Sequence, residues 1–240
     1  MRVFLLTVVV SHESYSKQLQ VWGQKNLMEN KFNFIAVEGP IGAGKTSLAR
    51  IIGKNMGKEI LLEDPDSNPF LEEFYQSREK YALATQLSFF LRRIEQMHQI
   101  KKKINELKFG LISDFLMEKD AIFANLNLAP EELKIYEKIY RYLKPETLNP
   151  DLVVYLQASP ENLLNRVKIR GRVYEENLSR EYISSVYDAY QSFFHSFDQA
   201  PLLIVNNDNL NFIDNTDHLS MLMERITGMR TPREFFGLSE

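Results

Sequence analysis

The feature that most restricts this chain is a short apolar run, Phe34–Glu38 (FIAVE), followed at once by Gly39-Pro40-Ile41-Gly42-Ala43-Gly44-Lys45-Thr46-Ser47. The run reads as a strand, and the stretch from Lys45 to Met56 reads as a helix. Between them the spacing G-x-x-x-x-G-K-[ST] is a phosphate-binding loop in the setting that gives such a match meaning. Glycines let the backbone curl until several N–H groups face one anion, and the helix aims the positive end of its dipole at the same place. Lys45 then reaches the β- and γ-phosphates, and the Thr46 hydroxyl is a ligand for Mg2+. A nucleoside triphosphate site is the direct implication.

Further apolar runs follow at 59–63 (EILLE), 109–114 (FGLISD), 152–157 (LVVYLQ) and 202–206 (LLIVN). Each is rich in Val, Ile and Leu on both faces, as strands of a helix-covered parallel sheet are. The segments between them are long enough for crossover helices. The fold class predicted is therefore α/β, a doubly wound five-stranded parallel sheet of P-loop NTPase type flanked by helices, with a lid. Ligands in such sheets bind beyond the carboxyl ends of the strands. One domain is expected over 34–228, preceded by an extension at 1–33 and followed by a loosely held tail at 229–240. The run Val3–Val10 behind Arg2 imitates a secretory signal, with Ser14-Tyr15-Ser16 as a cleavage site. A strand or a non-native leader is the blander reading, and Met28 is an alternative start. Lys and Arg number 29 against 32 Asp and Glu, a net charge of −3, which speaks against a nucleic-acid coat protein. With no cysteine, thiolate zinc sites and cysteine nucleophiles are excluded, and a reducing compartment is expected. No run approaches the roughly 20 apolar residues that a membrane helix needs.

A phosphate cradle does not name the acceptor, so the strand exits must. Glu63 closes the second run and faces the crevice, where a carboxylate can take a proton from an attacking hydroxyl. The turn-rich Asp64-Pro65-Asp66 beside it allows a plain solvated acid instead. Gln86 and Arg93 share one face of a long helix predicted over 80–108, with Phe89 close by. A glutamine amide can pair with a nucleobase edge while an aromatic ring stacks on its face; exposed polar residues on an amphipathic helix are the alternative. Asp114 closes the third run where P-loop enzymes often hold a carboxylate for Mg2+, and Asp120 follows beside Lys119. Arg166, Lys168, Arg170 and Arg172 surround Gly171 after a helix started by Ser159 and Pro160. Such a cluster is either a lid over the triphosphate or a solvated basic face.

Taken in order, GPIGAGKTS, NPFLEEFY, the Gln86–Arg93 pair, the Asp114–Asp120 exit and YLQASPENLLNRVKIRGRVYEE resemble the deoxyribonucleoside kinases, in particular bacterial deoxyadenosine and deoxyguanosine kinases. The likeness spans 34–228. It implies ATP-dependent phosphorylation of a deoxynucleoside 5′-hydroxyl, leaning to purines, in a cytoplasmic homodimer with no nucleic-acid or membrane partner. Glu63 matches the general base, and Tyr75 and Glu175 match the groups that hold the sugar 3′-hydroxyl. Gln86 matches the reader of the base, supported by Arg93 and Asp120. Arg166, Arg170 and Arg172 match the lid arginines, and Asn207 and Asp208 lie where the donor adenine rests. Thr46 and Asp114 would hold the metal. One departure is plain: many relatives carry Asp/Glu-Arg-Ser/Thr where this chain has Asp114-Phe115-Leu116. Lys119, one turn later, is a candidate for the displaced charge. A thymidylate-type nucleoside monophosphate kinase and a non-catalytic nucleotide-binding subunit are the competing readings.

Overall fold

The computed structural model describes residues 31–107, 110–143 and 148–238. The readings made at Val3–Val10, Ser14–Ser16 and Met28 lie outside the described residues. From Phe32 onward the chain is one body, a parallel sheet covered by helices on both faces.

Its strands are β1 (Phe34–Glu38), β2 (Glu59–Leu61), β3 (Leu111–Ser113), β4 (Leu152–Gln157), β5 (Leu202–Asn206) and β6 (Arg233–Phe236). Their spatial order is β2-β3-β1-β4-β5-β6, with every neighbouring pair parallel. The helices are α1 (Lys45–Met56), α2 (Leu71–Gln76), α3 (Arg78–Leu107), α4 (Lys119–Asn127), α5 (Pro130–Leu143), α6 (Pro160–Arg170), α7 (Arg180–His195) and α8 (Thr216–Gly228). Ile35, Ala36, Val37, Val153, Val154 and Leu203 are fully buried, which is why the central strands carry no polar alternation. β1 lies between β3 and β4, so the chain winds outward on both sides of it and leaves a crevice at its carboxyl end.

Six strands, not five, make the sheet. The sixth comes from the tail expected to be loose. Arg233-Glu234-Phe235-Phe236 is short, half charged and only partly buried, so it lacks the two-faced apolar signature of the inner strands. It is held by the β5 ladder and by Arg233, whose guanidinium donates to Phe194 O (3.0 Å) and Phe197 O (2.7 Å). Pro232 stands just ahead of it, a position an edge strand tolerates. β2 and β3 are also shorter than the apolar runs suggested. Glu63 and Asp114 therefore stand just past the strand ends, in loops joined by Asp114 N–H donating to Leu61 O (3.2 Å). Among the described residues no helix is long and apolar enough to cross a membrane.

Candidate active site

The loop between β1 and α1 depends on glycine at two crowded points. A Cβ on Gly39 (φ 155°) would lie 2.6 Å from Leu156 O, and one on Gly42 (φ 85°) would lie 2.5 Å from Leu163 O. The loop can curl this tightly against β4 and α6 only without side chains there. Ala43 is buried, and its carbonyl accepts from the Asn207 side chain at 2.8 Å, so the loop after β5 braces the cradle. Lys45 folds back over the loop and donates to Gly39 O (2.7 Å) and Pro40 O (3.0 Å). Burial and the neighbouring Lys119 bring its ammonium down to about 8, against the pull of Glu38, Glu63 and Asp114.

Asp114 joins the start of α1 to the exits of β2 and β3. Its Oδ2 accepts from Thr46 Oγ1 at 2.5 Å and its Oδ1 accepts from the Glu63 backbone N–H at 2.7 Å. The α1 hydroxyl, the β2 exit and the β3 exit are thus tied through one buried carboxylate. A buried Glu38 makes a similar tie, accepting from Gly39 N–H (2.7 Å) and Leu116 N–H (3.2 Å). Its sequence signal was available: a carboxylate ending an otherwise apolar strand at the crevice. The residues present fit a magnesium triphosphate. The cradle accommodates no Cβ at Gly39 or Gly42, and Thr46 with Asp114 offers hard oxygen donors of the kind Mg2+ takes alongside phosphate.

Glu63 is gripped from two sides. Arg93 of α3 donates from Nε (2.9 Å) and Nη2 to Oε1, and Lys119 of α4 donates to Oε2 at 2.6 Å. Burial pushes this carboxyl up, but the two cations outweigh it and hold it well below the usual carboxylate range. Arg93 also reaches Asp120 Oδ1 at 2.5 Å, and Gln86 Nε2 donates to the same oxygen (2.9 Å) and to Asp120 O (3.1 Å). Burial raises the Asp120 carboxyl to about 6, with Arg93 opposing it. Both Asp120 atoms are acceptors, so the Gln86 amide nitrogen faces Asp120.

One cavity of about 410 Å³ is lined by Lys45, Thr46, Glu63, Tyr75, Gln86, Arg93, Asp114, Lys119, Arg170, Arg172 and Glu175. The two ends postulated from sequence, Lys45 and Glu63, therefore open into the same space. Ile41 and Gly42 border it, and Phe89 lines it while Phe90 is core. Asp120 does not line it; it anchors Gln86 and Arg93 from behind. Burial lifts the Tyr75 phenol well above its usual value, leaving it a neutral donor. Glu175 is buried, and Arg170 grips it through Nε (3.1 Å) and Nη2 (2.7 and 2.8 Å).

Arg166 is placed apart from that cavity. Its Nη2 donates to Asn207 O at 2.5 Å, binding α6 to the loop after β5. In the same loop, Asp208 Oδ1 accepts from Ser159 N–H (2.8 Å), Ser159 Oγ (3.1 Å) and Asn162 Nδ2 (2.7 Å), which fastens the start of α6. The NPF stretch has a local purpose that sequence alone did not disclose. Asn68 donates to Thr85 O (3.1 Å) and accepts from Phe70 N–H (3.1 Å), clamping the loop after Glu63 onto α3.

Comparison with known proteins places the chain in a family. The family model for deoxynucleoside kinases matches residues 35–229. The deoxyguanosine kinase of Bacillus subtilis (strain 168) is 30% identical over 190 residues, covering 78% of this chain and 92% of the relative. The deoxyadenosine kinase of Dictyostelium discoideum is 31% identical over 213 residues, covering 86% of this chain and 84% of the relative. Among solved structures, the deoxyadenosine kinase from M. mycoides with products dCMP and dCDP bound superposes with a TM-score of 0.72 and 26% identity, over 82% of this chain and 100% of that one.

Proposed function

Since this chain belongs to the deoxynucleoside kinase family, we propose that its cavity takes ATP at the Lys45 end and a purine deoxynucleoside at the Gln86 end, and passes the γ-phosphoryl group to the sugar 5′-hydroxyl. The observation that carries this reading is the convergence of Lys45, Thr46 and Glu63 on one cavity, with Asp114 binding the last two together.

In this reading the loop amides and Lys45 hold the triphosphate, and Thr46 with Asp114 holds Mg2+, which would neutralise charge on the phosphates. Glu63 is an ionised acceptor that aligns the 5′-hydroxyl. Its low basicity suits a loose transition state, in which the attacking oxygen turns acidic only late. Lys119 keeps Glu63 charged and adds a cation beside Lys45, where Phe115 and Leu116 are buried apolar residues and supply none. Tyr75 and Glu175 hold the 3′-hydroxyl, and Arg170 and Arg172 close over the phosphates. Asn207 and Asp208 brace the loop beside the donor's adenine. Gln86 Oε1 accepts from the base, so the base must present an N–H or amine at that point. The purine lean rests on relatives called deoxyguanosine and deoxyadenosine kinases; a solved deoxyadenosine kinase holding dCMP warns that cytosine belongs in the test. A cytoplasmic homodimer built through helix packing completes the reading, and sedimentation tests the dimer.

The deciding experiment is a panel of the four deoxynucleosides and their 5′-monophosphates with ATP and Mg2+. Deoxyadenosine or deoxyguanosine is expected as best acceptor. Turnover of monophosphates alone would replace this reading with a nucleoside monophosphate kinase.

A further inference from the structure

Asp66 sits in a single 3-10 turn, Pro65–Ser67, shortly after Glu63. Its Oδ1 accepts from the Tyr174 hydroxyl, and its Oδ2 lies 3.5 Å from Arg172 Nη2. Tyr174 belongs to the turn Val173–Glu175 that follows α6, next to the buried Glu175. Its ring lies parallel to that of Tyr75 of α2, with centroids 5.9 Å apart and planes 5° apart. Two residues outside the catalytic set thus join the lid turn, which carries Glu175, to the loop after Glu63 and to α2, which carries Tyr75. The Asp66 side chain is 59% exposed, so the bond sits at the cavity rim, where water competes and contacts reverse easily. The lid turn starts at Gly171, which adopts a left-handed φ of 67°, and carries Val173 at 73% exposure. Besides the Arg170–Glu175 grip, the turn is held to the body by the Tyr174 ring, so its closure depends on the contacts that Tyr174 makes.

Resting on the acceptor-site reading above and extending it, we propose that Tyr174 and Asp66 form a latch: the hydroxyl–carboxylate bond and the stacked rings hold the lid shut over the sugar compartment and set Tyr75 against Glu175. Tyr174 is a positioning residue, acting through Tyr75 and through the lid. Removing the bond lowers the closed fraction, which weakens apparent nucleoside affinity in proportion and speeds release.

The test compares the full-length protein with Tyr174→Phe, Asp66→Ala and the double variant. A lost hydrogen bond of this type corresponds to about a 5–10-fold shift. Tyr174→Phe should raise the nucleoside KM by about that factor with kcat equal or higher. A folding defect would instead lower kcat and leave KM in place. The double variant should be no worse than Asp66→Ala alone, since the hydroxyl bond that Tyr174→Phe removes is already lost there. Hydrogen exchange without substrate supplies an independent readout: amides of 171–178 should exchange faster in each variant by a similar factor. Additive effects in the double variant, or a KM and an exchange rate within about twofold of the parent protein, would overturn the latch. If the parent phosphorylates no deoxynucleoside, the acceptor reading fails, and the exchange data decide the latch alone.

Discussion

Glu63 is a carboxylate whose neighbours decide its chemistry. Held ionised by Arg93 and Lys119, it is a poor proton sink in the ground state, and under the proposed function it is a fixed acceptor for the 5′-hydroxyl. Glu63→Gln should therefore lower kcat by about 10²–10⁴-fold while ATP affinity, measured by calorimetry, stays within a factor of a few. Lys45 sets a second expectation. Its ammonium titrates near 8 in the free protein and must be charged to meet phosphate, so kcat/KM for ATP should fall above about pH 8. Bound phosphate raises that value, so kcat should stay flat over the same window. The stability sign is the reverse: the unfolded chain holds the Lys45 proton more tightly, so this group's contribution to stability grows as pH rises from about 8 to 10.5. The positions of Lys45 and Glu63 were legible in the sequence because strand ends and loop spacing are local. The partners of Glu63 were not, since they come from α3 and α4, separated from it by 30 and 56 residues.

Helix α6 carries the lid, and its start is a fastening point. Ser159 accepts from Asn162 N–H as the N-cap, Pro160 opens the first turn, and Asp208 gathers three donors on one oxygen. The Ser159-Pro160 signal could be read from sequence, as could the starts of α1 and α3 to within two residues, because caps and spacing are short-range. Asp208 was expected near the donor's adenine; its grip on α6 depends on β5 lying beside β4. Asp208→Ala should cost about 1–2 kcal/mol in denaturant unfolding, from the loss of capping-type bonds. The same variant should raise KM for ATP, because the helix that bears Arg170 loses one of its two ties to the loop after β5.

The sixth strand ties the end of the chain to the rest of the molecule. Truncation after Met229 would remove the β6 ladder, the Arg233 bonds and the Arg225–Glu234 pair at 3.0 Å. Thermal and denaturant unfolding of that truncated protein should show a loss on the order of 2–4 kcal/mol. The uncovered β5, LLIVN, would be an open apolar edge, so aggregation on heating should also appear in light scattering. The inner strands could be read from their unbroken apolar runs, whereas an edge strand with charge on it looks like a tail until a ladder is found. β1 and β2 meet only through β3, and Asp114 at the end of β3 ties Thr46 to Glu63. Thr46 and Glu63 therefore gain their shared partner only once β3 is seated between β1 and β2, so the two halves of the cavity come into register with the insertion of that middle strand.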